Sequence, residues 1–320
     1  MSLRWDLLVA LAALVALAAL PVLGVSSALR DFLMFGMAYA LLSMSLNLLI
    51  GTTGLVSFGH AMFFSLGAYA FGLAMQSGRF SIPVAFLFAV GLTAVVAAVI
   101  GAICVRLNEI YFAFLTLAIQ MLLYNLVLAW VPLTGGDQGL MGGIPRPRFW
   151  GIDLADRTQL YWFCAVCFVA CLTLLRQVTV SPFGATLRLI RDNATRAEFL
   201  GIDVFRAKLV AFVIAASIAG IGGILLALFV SGAYPNFGFW TTSGEAIFMI
   251  MMGGSHVFLG PVLGTVMLRV LNDLTVAYTE HTDMVLGIVI LLFVFGFRKG
   301  VLDIIAERIS DRRQAALRKG

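Results

Sequence analysis

The sequence predicts an all-α, polytopic integral membrane protein: about ten transmembrane helices forming a single domain over residues 1–320, with the possibility of an inverted repeat built on broken helices. Three observations carry that prediction. Hydrophobic residues make up 62% of the 320 positions and charged residues 12%, about half the charged fraction of an ordinary soluble domain. The apolar residues fall in runs suited to a hydrocarbon core about 30 Å thick, which takes about 20 residues per helical crossing. The 21 basic residues are clustered, six between Arg176 and Lys208 and seven between Arg298 and Lys319. By the positive-inside rule both clusters face the cytoplasm, and because they flank apolar spans they do not form a nucleic-acid surface.

In chain order, the first run, Leu7 to Val25, follows Arg4 and precedes Ser26, Ser27 and Ala28, which is also the pattern of a signal peptide. It is read as a retained helix, because the spans after it give it partners to pack against. Runs then follow at Phe32 to Ile50, Phe58 to Met75, Ile82 to Val105 and Ile110 to Val131. The loop over 132–159 is rich in glycine and carries prolines at 145 and 147, a composition that favours tight turns packed on helix ends. Five more runs lie at Leu160 to Leu175, Leu209 to Val230, Ala246 to Phe258, Val262 to Tyr278 and Met284 to Phe297. Placing the 177–208 loop inside and counting spans both ways puts the 132–159 loop outside and both termini, with the 298–320 tail, inside. That parity requires the short Ala246 to Phe258 run to be a true crossing.

The stretch from Ser45 to Phe63 holds Asn47, Thr53, Ser57 and His60 among glycines at 51, 54 and 59. Non-helical backbone at membrane depth is tolerated only where protein or a water-filled cavity satisfies its polar groups, so this segment is a candidate for the lining of a pathway. Close glycine-mediated helix packing is the alternative. A short echo of the Gly-x-Ala-x-Phe core of this stretch appears around Ser243 to Phe248, and Glu245 beside it is a second pathway candidate. Arg269 and Asp273, four residues apart on one helical face, are expected to pair.

Within the 177–208 loop, Ser181-Pro182 starts and Gly201-Ile202-Asp203 stops a helical stretch read as Thr186 to Leu200. Leu187, Ile190, Ala194, Ala197 and Phe199 give it an apolar stripe, against a face bearing Arg188, Arg191, Asp192 and Glu198. A short helix displayed between two spans suits contact with a soluble partner, and its arginines also suit anionic lipid. Cys104, Cys164, Cys167 and Cys171 lie in apolar runs and read as small packing residues. No His, Cys or carboxylate spacing supplies a catalytic or metal site, no cofactor is implied, and Gly-x-x-x-x-Gly-Lys-Ser/Thr is absent, so any nucleotide site lies on another chain.

Asn47-Leu48, Gly51 and Gly54 through Phe63 resemble the N-terminal signature of the branched-chain amino acid importer permeases. Leu133 to Leu140 resembles their external Thr-Gly-Gly motif, and Arg188 to Lys208 with Ala219 to Gly223 resembles their cytoplasmic coupling region. The likeness covers about residues 30 to 300 and is closer to the longer of the two permease types in these ATP-binding-cassette importers. It implies a second, shorter permease subunit, two ATP-binding subunits, a periplasmic solute-binding protein and a home in the bacterial inner membrane. It also implies that Arg188, Arg191, Asp192, Ala197, Glu198 and Gly201 take part in coupling to the ATPase. Arg196 stands where the family has a small residue. Branched-chain or other small amino acids are the implied cargo. Related systems carry urea, short amides or aromatic acids, and an ion-coupled secondary transporter is the reading from another class.

Overall fold

The computed structural model describes residues 3–22, 24–107, 109–140, 142–146, 151, 153–278, 281–296, 300–304 and 307–308. Among these residues every regular element is helical, and each of the ten apolar runs holds one long helix. These are α1 (Leu3–Val22), α2 (Ser27–Asn47), α3 (Ala61–Gln76), α4 (Ile82–Cys104) and α5 (Glu109–Ala129), then α7 (Arg157–Val180), α10 (Val204–Val230), α11 (Trp240–Gly253), α12 (Gly260–Tyr278) and α13 (Thr282–Gly296). Short helices fill the two long loops: α6 (Val131–Thr134) in the first, α8 (Pro182–Asp192) and α9 (Ala194–Phe199) in the second. Among the described residues, five stretches are long and apolar enough to cross a bilayer unaided, 27–53, 82–104, 110–129, 157–180 and 204–230. At 16 residues α3 is about 24 Å long, short of a full crossing, and it follows directly on the broken segment.

Local chemistry sets the helix starts. Ser26 Oγ accepts from Leu29 N at 3.3 Å, Asp156 accepts from Thr158 N and Gln159 N, and Pro83 sits in the first turn of α4, where a missing N–H costs nothing. The cap on Asp156 begins α7 three residues before the predicted span, and α7 runs on to Val180.

The chain forms two compact units, residues 1–243 and 244–320, with the boundary inside α11. In the first unit α10 packs against α2, α3 and α4. It crosses α3 at Gly67 and Gly220, where a β-carbon on Gly67 would run into the Gly220 backbone, so the two helices meet main chain to main chain. Phe212 fills the space beside this crossing with ring edges of Phe63 and Phe112 at 5.4 and 5.9 Å between centroids. Leu87, Phe114 and Leu122 on α4 and α5 are exposed, and Ile110 retains 70% of its surface. A contiguous apolar exterior of this kind needs hydrocarbon as its solvent, and the chain is a multi-pass membrane protein.

One end of this unit is closed by the loop after α5, an ordered cap. Leu140 N donates to Ala233 O, Ile144 N to Ser231 O, Gln76 Nε2 to Gly143 O, and Arg146 to Leu228 O. Residues 105–107, α8, α9 and the segment after α2 gather at the other end.

In the second unit α11 and α12 form a close hairpin at Gly253, Gly260 and Gly264. Arg269 and Asp273 pair at 3.2 Å as their spacing predicts. Asp303 accepts from Val257 N at 3.1 Å and lies 3.2 Å from His256 Nδ1, so residues 300–304 are tied to the loop between the two helices. The four cysteines are free thiols, with Cys104, Cys164 and Cys171 buried in α4 and α7.

Candidate functional site

The helical backbone of α2 does not stop at Asn47 but widens into a π-turn over Leu48–Thr53. Gly54 ends it with φ 80° and ψ 13°, a left-handed conformation that a β-carbon would strain. Leu55 N closes back on Leu49 O at 2.9 Å, and Thr53 Oγ1 donates to Leu48 O at 3.0 Å. The chain is then non-helical to His60, and α3 begins at Ala61. The glycines and β-branched threonines foretold this break, and Asn47, Thr53, Ser57 and His60 are all buried within it.

His60 is held by Ser45. The Ser45 hydroxyl has one proton, which the carbonyl of Leu42 takes at 2.8 Å, so Ser45 Oγ accepts at its other side. His60 Nε2 lies 3.0 Å away on that side, where an Nε2–H would meet the free lone pair. His60 Nδ1 and Ser57 Oγ, both buried, have no hydrogen-bond partner among the described residues. The packing alternative is also realised: a β-carbon on Gly59 would collide with the backbone of Thr116, so α5 lies directly on the break.

Ser243, in the first turn of α11, completes the arrangement. Its Oγ accepts from Ala61 N at 2.9 Å and donates to Gln120 Oε1 at 2.9 Å, while Gln120 Nε2 donates to Gly238 O at 3.0 Å. One hydroxyl thus caps α3 and ties it, through α5, to the 3₁₀ turn at Pro235–Gly238 before α11. Ser243, the first residue of the later echoing stretch, thus meets Ala61 of the earlier one. Gln120 and Ser243 escaped the sequence reading, although Gln120 is a polar residue in an apolar span and shares a face with Thr116 four residues earlier. Glu245 belongs to the second unit and lies on an exposed face of α11.

The loop after α7 is two helices where the sequence reading has one. Asn193, with φ −164° and ψ 102°, leaves the helical region, and its side chain accepts from Arg196 N at 2.8 Å, so it stops α8 and caps α9. Leu187, Ile190 and Ala197 are buried, whereas Phe199 is 88% exposed with Leu200 beside it. A Schellman turn ends α9, with Gly201 N donating to Glu198 O, Ile202 N to Ala197 O, and Gly201 at φ 81°.

The coupling candidates separate in space. Arg188 Nη1 donates to Thr179 O at 2.7 Å and fastens α8 to the end of α7. Arg191 reaches across to the break and donates to Gly51 O. Asp192 and Glu198 are exposed, Ala197 is buried, and Gly201 shapes the turn. A groove of about 840 Å³ beside α9 is lined by Arg106, Tyr111, Glu198, Phe205 and Lys208, with the Arg106 guanidinium 5.1 Å from the centre of the Phe205 ring. Among the described residues no three His, Cys, Asp or Glu side chains are grouped to hold a metal ion.

Comparison with known proteins finds relatives over most of the chain. The high-affinity branched-chain amino acid transport system permease protein LivM of Escherichia coli is 25% identical over 91% of this chain and 74% of its own length. The permease protein LivH of the same organism is 24% identical over 83% of this chain and 92% of its own. The autoinducer 2 import system permease protein LsrC of an Enterobacter species is 27% identical over 83% and 75%. No solved structure matches the chain. A family profile described as branched-chain amino acid transport system / permease component matches residues 28–294, and the chain belongs to that family.

Proposed function

We propose that this chain is one permease subunit of an ATP-driven importer that carries branched-chain or other small amino acids handed over by a periplasmic binding protein. In this reading it pairs with a second permease of the LivH type, two ATP-binding subunits on separate chains supply the energy, and the chain does no covalent chemistry itself. The end bearing α8 and α9 faces the cytoplasm, as do both termini, and the capped 132–159 loop meets the binding protein. Asn47, Thr53, Ser57, His60 and Glu245 remain the pathway candidates, with the first four grouped in the break.

The observation that carries the reading is the α8–α9 excursion. It stands between two spans, presents Phe199 and Leu200 outward, and is rooted by Arg191 on the broken segment. A motor that grips α9 is thereby joined to a segment suited to gate a pathway. Similarity to the autoinducer 2 permease favours a second cargo class, small polar solutes that are not amino acids. The test is reconstitution of the chain with its co-purified partners in proteoliposomes, followed by uptake of labelled leucine in competition with valine, alanine, urea and a small sugar. ATP-dependent leucine uptake blocked by valine supports the reading. Uptake driven by an ion gradient without the ATP-binding subunits overturns it.

A further inference from the structure

Resting on that reading of α9 as the motor's point of contact, we propose that Arg191 is a positioning residue that transmits displacement of the α8–α9 loop to the broken segment at Gly51 to Gly54. Arg191 does not point toward a soluble partner. Its guanidinium donates to the main-chain carbonyl of Gly51, inside the π-turn. Because the chain leaves the helix at Gly54, the carbonyls of this last turn lose their regular helical donors, and a charged donor from outside replaces them.

A second observation fixes the stem of the same side chain. A β-carbon on Gly54 would lie 2.8 Å from Arg191 Cγ and 3.5 Å from its Cα, so the arginine stem rests on the bare α-carbon of Gly54. The left-handed turn at Gly54 and the carbonyl of Gly51 together form a seat made of main chain. Of the glycines in the break, Gly54 is the one this seat requires.

The rest of α8 is built to move as one piece with α7. Ser181 caps its start, accepting from Gly184 N at 3.3 Å, a β-carbon on Gly184 would collide with the Thr179 backbone, and Arg188 clasps Thr179 O. Leu187 and Ile190 are buried beneath it. Asn193 joins α9 directly to it, ending α8 and capping the start of α9. A push on α9 therefore reaches a stiff α8, and Arg191 is the charged contact that α8 makes with the break. Lysine would keep the stem contact on Gly54, but its ammonium ends one bond short of the Nη1 that reaches Gly51 O.

The experiment uses the assembled transporter in lipid nanodiscs, as wild type, R191Q and R191K. Amide exchange over residues 49–58 is measured with and without the ATP-binding subunits, together with uptake per ATP hydrolysed. In the wild type, docking of the ATP-binding subunits should change exchange over 49–58. In R191Q those subunits should still co-purify and hydrolyse ATP near the wild-type rate, the change over 49–58 should vanish, and uptake per ATP should fall about tenfold. R191K should behave like R191Q. Should R191Q fail to accumulate, G54A crowds the same contact from the other side and should uncouple uptake in the same way.

Wild-type uptake per ATP in R191Q overturns the proposal, as does a wild-type complex in which docking leaves 49–58 unchanged. Loss of subunit docking in R191Q makes Arg191 a docking contact and overturns the proposal while leaving the importer reading intact. A wild-type chain that binds no ATP-binding subunit overturns both.

Discussion

Ser243 shows how much one hydroxyl can organise: the first amide of α3, a glutamine on α5 and the carbonyl of Gly238 are joined through it. All of these groups are buried, so removing the hydroxyl leaves a donor and an acceptor without partners in a medium that offers no replacement. S243A is expected to lower stability by about 1–3 kcal/mol, read as a fall in the thermal unfolding midpoint in detergent. Q120L is expected to cost a similar amount, and the double variant less than the sum, because both changes break the same chain of bonds. The polar character of the break was legible in the sequence, since Asn47, Thr53, Ser57 and His60 lie among helix-breaking glycines. The partners were not. Gln120 and Ser243 are 123 residues apart, and nothing local in either stretch pairs them. The target of Arg191 was hidden for the same reason, because an arginine in a basic loop reads alike whether it faces solvent, lipid or a carbonyl of its own chain.

Among the elements, α8 and α9 carry the clearest difference between the sequence and the fold. Residues 186 to 200 have the composition of one amphipathic helix, and only the cap chemistry of Asn193 divides them. Asparagine competes for nearby main-chain donors, so it serves better at a helix start than inside a helix. N193A should cost about 1 kcal/mol at this cap and should appear as faster amide exchange at Arg196 with little change in α7. Phe199 and Leu200 point outward from α9, which gives a second expectation. F199S should weaken co-purification of the ATP-binding subunits about tenfold without lowering the thermal midpoint of the chain alone, because Phe199 packs against little of its own protein. The stop at Gly201 was readable, since a left-handed glycine after an apolar turn is a local signal.

For the molecule as a whole, the apolar runs located the long helices, while the boundaries moved where caps or breaks decide them: α3 begins at Ala61 because the π-turn and the extended stretch delay it. Sidedness is the global property the function depends on, and it is open to a direct test. T195C should react with an impermeant maleimide only in permeabilised cells, and G142C should react in intact cells, with labelling of T195C in intact cells inverting the topology proposed here.

The crossing of α3 and α10 bears on how any map of this protein by substitution should be read. At Gly67 alanine is an insertion, not a truncation: the added methyl group must displace the backbone of Gly220. A scan by alanine will therefore score this position as severe through helix packing alone, whatever its distance from solute.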